Sequence, residues 1–514
     1  MGVILLCGAA LRIWGLDYGL PQFLYPDETK YIRPAQIYLK DRQIANPHYF
    51  LNPPLFSHVV LATVAILDLL HVPVGDREHL VMVSRSLSVL FGTGSVALLF
   101  LIGRQLDGTR VGLIAASLLA ANFLATRSSH SGVNDMMMLA LLLVCLHAFF
   151  FGVSGQGGAL KLHRGLVLAA FTGGLAVSTK YNAAITLVPL GAFMLVRWSG
   201  WARAGLVVER WLDILRDGGT VGGWFILGVL AGNPWILQTP KEVWEGFSLQ
   251  MEVAEECYPG QELTPMSQQV ITALAQGSGI AVLLLAVLGV GLLWRKRHPG
   301  LRFLALLTVV YVAYFAFLSK ALFARFLIPA LPGICLLAAI AMEDLSSYVA
   351  PRARSALLVG LVGLSLSQPL YNSVLFLRIL SRPDTRTLAG HWAVNHIPPT
   401  SDRYHLLRKD VLSLHRFGFH ESQPARPGPD RKFPAGYYLV TALDIREGCT
   451  NLLDIYMMKL IELLFQQGTI VYHDNPSPGS SGLTMNENRY SPYYELGTIR
   501  RPGPEIWIVK VDGS

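Results

Sequence analysis

L-Y-P-D-E-T-K-Y, residues 24–31, places two adjacent carboxylates, Asp27 and Glu28, just beyond the first apolar segment, Gly2 to Leu16. Charge beside hydrocarbon is costly, and where it persists it tends to serve function. The chain beyond this pair decides the fold. Apolar runs recur at 80–102, 111–126, 134–152, 165–179, 182–197, 220–238, 271–294, 301–319, 324–342 and 355–375. With residues 1–16 they make about eleven segments, each near the ~20 residues that cross a bilayer core. Only 15% of the 514 residues are charged and 52% are hydrophobic, whereas a soluble domain carries roughly 25% charge. The pattern predicts a polytopic α-helical membrane protein rather than one large soluble core.

Segment 53–72 is also apolar, but it begins Pro53-Pro54 and carries His58 and Asp68. It reads as an interfacial helix in the first outer loop, 17–79, with a true span as the alternative. Loop charge supports this choice. Loops 103–110, 153–164, 197–219, 295–302 and 343–354 hold most of the interhelical Lys and Arg, and the positive-inside rule assigns them to the cytoplasm. The acidic loop 17–79, loop 127–134, the long loop 239–270 and the C-terminal tail then share the opposite face. The formal charge of +8 is spread over short loops between apolar runs, which argues against a nucleic-acid partner. The N-terminus lacks a basic n-region and a small-x-small cleavage site, so it reads as a retained span. Cys7, Cys145 and Cys335 lie in apolar spans and read as packing residues. Cys257 and Cys449 fall in outer segments, where pairing is not readable from sequence.

The chain divides into a transmembrane domain, 1–379, and a C-terminal soluble domain, 380–514. In the latter, G-Y-Y-L-V-T-A-L (436–443) and I-W-I-V-K-V (506–511) read as strands. N-L-L-D-I-Y-M-M-K-L-I-E-L-L-F (451–465) reads as an amphipathic helix with Leu453, Met457, Leu460 and Leu464 on one face. Residues 421–433 and 474–492 read as loops. A small extracytoplasmic α/β domain is expected.

The unusual polar residues near span ends converge on the outer face. Asp27 and Glu28 follow the first span. Arg127, His130, Asn134 and Asp135 lie in R-S-S-H-S-G-V-N-D, Lys180 in S-T-K-Y-N, and Lys320 and Arg325 in S-K-A-L-F-A-R-F. Carboxylates suit deprotonating or positioning a hydroxyl acceptor. Cations suit a phosphate leaving group, whose charge grows in the transition state. Together they describe attack by a hydroxyl on a sugar carbon as a lipid phosphate departs. Each residue has a plainer reading. Asp27 and Glu28 would cap the helix near Thr29, and Asp135 the fourth span. Lys180, Lys320 and Arg325 would snorkel to the interface. His130 would make local hydrogen bonds, Arg85, inside the second span, would pair with another polar group, and Tyr31 and Tyr181 would be interface aromatics. Glu252, Glu255 and Glu256 read as a solvated acidic face. No Cys/His spacing for zinc and no G-x-x-x-x-G-K phosphate loop is present.

L-R-I-W-G-L-D-Y-G-L-P (11–21) with P-D-E-T-K-Y, V-S-R-S-L-S-V-L-F-G-T-G-S-V-A-L-L-F-L-I-G-R-Q-L-D-G-T-R (83–110), G-L-A-V-S-T-K-Y-N-A and A-R-F-L-I-P-A-L-P resemble the GT-C glycosyltransferases. The branch they resemble is that of the bacterial protein O-mannosyltransferase and aminoarabinose transferase relatives. The resemblance covers about residues 1–345. It rests on an ordered set of segments, none specific alone. It implies an inverting, single-displacement transfer from a polyprenyl-phosphate sugar to a hydroxyl or phosphate on a glycan, lipid or protein acceptor. The active site would face the periplasm or exterior of a cytoplasmic membrane. The resemblance matches the family's catalytic first-loop acid to Asp27, its second-loop acid to Asp135 and its leaving-phosphate basics to Lys180 and Arg325. By position at the same face Glu28 is a further catalytic candidate, Lys320 and Arg127 are further candidates for the donor phosphate, and His130, Asn134, Tyr31 and Tyr181 are candidates for substrate contacts. No obligatory cofactor is expected; a divalent metal is compatible with one acidic pair but not indicated. The competing class is a polytopic transporter or lipid-linked glycan flippase. Transporters carry midplane charges on broken helices of paired repeats, whereas here the charges sit at span ends on one face.

Overall fold

The computed structural model describes residues 1–20, 25–153, 158–203, 207–255, 264–293, 299–405, 423–424, 432–442, 452–478, 488 and 491–512. They form two compact units: residues 1–16, 27–256 and 266–373, and residues 17–26, 257–265 and 374–514.

The first unit is helical. It opens with α1 (Gly2–Ile13), α2 (Glu28–Asp41), α3 (Leu55–Leu69) and α4 (Arg77–Asp107). Next come α5 (Thr109–Ala121), α6 (Phe123–Ser129), α7 (Asp135–Val153), α8 (Gly158–Val177), α9 (Leu187–Arg203) and α10 (Val207–Gly232). Then follow α11 (Trp235–Gln238), α12 (Pro240–Glu255), α13 (Met266–Ser278), α14 (Ile280–Leu292), α15 (Pro299–Phe317), α16 (Leu331–Ser347) and α17 (Pro351–Leu380). Single 3₁₀ segments, Tyr181–Thr186 and Ala324–Ala330, lead into α9 and α16. Among the described residues six helices are long and apolar enough to cross a membrane, or up to eight if each of two bent pairs is one span. The remaining expected spans fall on α1, α8 and α9. Of these, α1 and the 181–196 segment are apolar but shorter than the length that meets that test. Segment 53–72 holds α3, of 15 residues, which at 1.5 Å per residue falls short of the ~30 Å core.

Two segments expected as straight spans are bent. α5 and α6 meet at 56° around Asn122, and α13 and α14 at 109° around Gly279. Gly279 has φ +90°, a left-handed backbone that a side chain disfavours. A break in hydrocarbon frees backbone groups that must find partners, and here they do. Gln368 of α17 accepts from Ile280 N at 2.9 Å and donates to Ala275 O at 3.1 Å, while Asn372 donates to Gln276 O at 2.8 Å. At the other break Asn122 caps Ala125 N and donates to Ser278 Oγ, both at 3.0 Å. Arg12 of α1, fully buried, donates to Leu119 O and Ala120 O near the end of α5. Straight stretches pack through small residues, as lipid-facing helices do when backbones approach closely. A Cβ added to Gly228 of α10 would lie 2.1 Å from Phe171 O of α8.

In the second unit a five-stranded sheet has the order β2-β1-β3-β5-β4. Its strands are β1 (Arg403–His405), β2 (Gln423–Pro424), β3 (Gly436–Thr441), β4 (Thr469–Asp474) and β5 (Ile506–Val511), with helices α18 (Thr385–His396) and α19 (Leu452–Gln467). β3 and β5 are the two strands anticipated and pair antiparallel, Tyr438 opposite Val509. Leu460 and Leu464 of α19 pack with Tyr438, Val440 and Val509, and Ala389 and Ala393 of α18 with Leu439 and Ile508. Leu453 and Met457 have side chains outside the described residues, as do Glu255, Glu256, Cys257 and Cys449. β4 begins inside no expected element, and its first two residues are exposed; an edge strand of this kind carries little alternation to read.

Candidate active site

Asp27 occupies the N-cap position of α2 and does not cap it. Its backbone is helical (φ −68°, ψ −26°) and its side chain accepts nothing from the first-turn amides. Instead Lys30 Nζ donates to Oδ1 at 2.9 Å and Arg325 Nη1 donates to Oδ2 at 3.1 Å. The first tie closes one helical turn; the second spans almost 300 residues and reaches the 3₁₀ segment before α16. Burial raises the Asp27 carboxyl, but the Arg325 and Lys30 charges outweigh it and hold the group at about 2.

Glu28 lies in a different environment. It is 1% exposed, as against 30% for the Asp27 side chain. Arg85 of α4, also fully buried, donates Nε to Oε1 at 2.7 Å and Nη2 to Oε2 at 2.9 Å. Gly132 N adds a third bond to Oε1 at 2.8 Å, and Arg85 Nη1 donates to Leu16 O at 2.7 Å. Both Glu28 oxygens accept hydrogen bonds from buried donors, and this ties the start of α2 to α4 and to the 130–134 turn. Arg85, expected to pair with another polar group that the sequence does not identify, has Glu28 as that partner.

A second ion pair lies close by. Asp135, the first residue of α7, accepts from Lys180 Nζ at 2.5 Å. Asn134 Nδ2 donates to Thr179 O at 2.6 Å, so two bonds join the head of α7 to the S-T-K turn. The Lys180 ammonium lies 5.1 Å from the Phe326 ring centroid, and Phe326 adjoins Arg325. Burial lowers the Lys180 group, Asp135 opposes this, and the charges of Arg325 and Asp27 are also felt there. Tyr31, buried and edge-on to Phe56 at 5.5 Å, has its phenol raised by burial first and then by Asp27 and Asp135. The two ion pairs therefore share one electrostatic neighbourhood, with Tyr31 in it.

The other candidates differ in their surroundings. His130 is fully buried, its Nδ1 2.9 Å from Thr126 O and its Nε2 2.9 Å from Trp14 O. Arg127 is buried on α6, and Lys320 is exposed before the second 3₁₀ segment. Tyr181 donates to Phe50 O at 3.0 Å and sets its ring 5.1 Å from Phe247 of α12. Residues not singled out by sequence join them. Lys30, Asn182 and Phe326 stand inside the quoted motifs, Lys30 three residues after Asp27. Tyr49 and Tyr311 carry no local signal. Tyr311 Oη donates to Phe326 O at 2.7 Å and accepts from Asn182 Nδ2 at 3.2 Å. Its ring lines an apolar pocket with Leu142, Leu146, Ile185, Leu307 and Pro329. Among the described residues no three His, Cys, Asp or Glu side chains are grouped to hold a metal ion.

Residues 75–210 match the family model described as dolichyl-phosphate-mannose-protein mannosyltransferase. No curated protein sequence matches significantly. Among solved structures, ArnT from Cupriavidus metallidurans bound to undecaprenyl phosphate aligns with a TM-score of 0.54 at 14% identity, over 92% of this chain and 96% of that one. Its apo state aligns with a TM-score of 0.53 at 15% identity over the same shares. Archaeal oligosaccharyltransferase AglB from Archaeoglobus fulgidus, in complex with an inhibitory peptide and a dolichol-phosphate, gives 0.57 at 13% identity, over 97% of this chain and 76% of that one. By the matched segment and the shared fold, the chain is similar to the GT-C, polyprenyl-phosphate-dependent glycosyltransferases.

Proposed function

We propose that this protein is an inverting glycosyltransferase that moves a sugar from a polyprenyl-phosphate donor to a hydroxyl or phosphate acceptor at the outer face of a cytoplasmic membrane. One observation carries the reading. Four elements distant in sequence bring Asp27, Arg325, Asp135 and Lys180 into one neighbourhood. Carboxylate and cation are what a hydroxyl acceptor and a leaving phosphate each require. The similar ArnT was solved with undecaprenyl phosphate, which supports a lipid-linked donor here.

In this mechanism Asp27 removes the acceptor proton as the acceptor oxygen attacks the anomeric carbon. The bond from that carbon to the phosphate oxygen breaks, and its electron pair stays on the phosphate. Arg325 and Lys180 hold the charge that grows there, with Lys320 and Arg127 as further candidates for the lipid phosphate. Asp135 sets the Lys180 ammonium, and Glu28 fixes Asp27 through Arg85. The reading keeps eleven crossings and an external C-terminal unit. A panel of labelled polyprenyl-phosphate sugars tests it: the purified protein transfers or releases sugar from at least one of them. Lipid or glycan transport by proteoliposomes with no sugar transfer overturns it in favour of a transporter.

A further inference from the structure

The Asp27 carboxylate is occupied at both oxygens in this structure, Oδ1 by Lys30 and Oδ2 by Arg325. A base so engaged keeps one free lone pair on each oxygen, but a cation held at each oxygen crowds the approach and lowers its basicity. The two ties differ in kind. Arg325 reaches across the fold, and its side chain is 22% exposed. Lys30 sits on the same helical turn as Asp27 and is 37% exposed, the most open of the three. Pairs of this local type are individually weak, and an ammonium on a four-carbon stem moves easily. Lys30 also has a second partner. Its Nζ lies 5.2 Å from the centroid of the Tyr49 ring, so an ammonium that leaves Oδ1 keeps a cation–π partner.

We infer that Lys30 is a place-holder for the acceptor: its ammonium occupies Oδ1 of Asp27 until the acceptor hydroxyl takes that position and Lys30 withdraws toward Tyr49. This rests on the transferase reading above and adds a residue to it. In the exchange one hydrogen bond to Oδ1 replaces another, and the acceptor proton passes to Oδ1 as the new glycosidic bond forms. Arg325 turns from Oδ2 to the departing phosphate at the same stage, so the carboxylate becomes more basic when both substrates are present. The charged and titratable groups acting on Asp27 or its neighbours are Lys30, Tyr31 and Tyr49 from the first loop, Asp135 and Lys180, and Arg325.

Two measurements on the purified full-length protein test this. The first is binding of undecaprenyl phosphate to wild type, Lys30→Met, Lys30→Arg and Arg325→Met. Lys30→Met is expected to bind within twofold of wild type, and Arg325→Met at least tenfold more weakly. An equal loss in both variants makes Lys30 a phosphate ligand and overturns the inference. The second is the pH profile of transfer from a labelled polyprenyl-phosphate sugar, with acceptor concentration varied. Lys30→Met is expected to lower the acceptor KM at least threefold and to move the acidic limb up by about one pH unit, while Lys30→Arg keeps the wild-type limb. A wild-type profile in Lys30→Met beside an inactive Asp27→Asn overturns the inference and leaves the transferase reading standing. Failure of wild type to bind undecaprenyl phosphate removes the donor reading itself, and the inference with it.

Discussion

At the residue scale, two adjacent carboxylates have different fates because of what surrounds each. Asp27 faces two cations and is partly open; Glu28 is sealed between Arg85 and Gly132 N. The resemblance singles out Asp27 as the base, but the partners that set Glu28 apart come from α4 and the 130–134 turn, which the local sequence does not show. The separation makes a prediction. Glu28→Ala leaves Arg85 buried without its counter-ion, and loss of one partner of such a pair costs about 3–5 kcal/mol. Thermal unfolding in detergent should show that loss, whereas Asp27→Asn, at a partly open site, should lose less. pH adds a second test. Asp27 is held at about 2, below its ordinary range, by Arg325 and Lys30 against the opposing effect of burial. A depressed carboxyl contributes stability that is present above its unfolded value and is lost as pH falls through about 2. The Asp27 ties should therefore persist at pH 5. A melting temperature that differs between wild type and Asp27→Asn equally at pH 5 and pH 7 is the expected result.

At the element scale, the apolar runs were legible because hydrocarbon demands length and hydropathy, both of which sequence displays. The bends were not. Asn122 and Gly279 are single residues inside runs that stay apolar on both sides, and what makes the breaks tolerable is remote: Arg12, Gln368 and Asn372 supply the missing hydrogen bonds. Replacing Gln368 by Leu should leave Ile280 N and Ala275 O without these partners. The expected cost is about 1–3 kcal/mol, read as a lower melting temperature with donor binding weakened less than twofold. Tight helix contacts make a sharper case. Gly228→Leu puts side-chain atoms where Phe171 O now sits, so α8 and α10 must separate, and a drop in detergent stability beyond that of Gln368→Leu is expected.

At the scale of the whole molecule, the fold is shared with proteins only 12–15% identical in sequence. That divergence explains why the tail was less legible than the spans. Transmembrane helices are constrained everywhere by the bilayer, while a small sheet is defined by pairing between strands far apart, and β4 and the short β1 and β2 offered little pattern. The topology has its own test. In a cysteine-free background, Gly75→Cys in the first loop should react with a membrane-impermeant maleimide on intact cells. Thr109→Cys, at the first residue of α5 in the basic stretch 103–110, should react only after permeabilisation. The reverse pattern would turn the protein over and put the Asp27 cluster on the wrong side for the proposed reaction.

The central claim is that Asp27 is the base of a lipid-phosphate-dependent sugar transfer. Its most direct test is transfer from a panel of radiolabelled polyprenyl-phosphate sugars by purified wild type and Asp27→Asn in detergent, both checked for equal folding and equal binding of undecaprenyl phosphate. The account predicts transfer by wild type and a loss of about 10²–10⁴-fold in the variant, the usual worth of a positioned general base. Equal rates from the two proteins would contradict it.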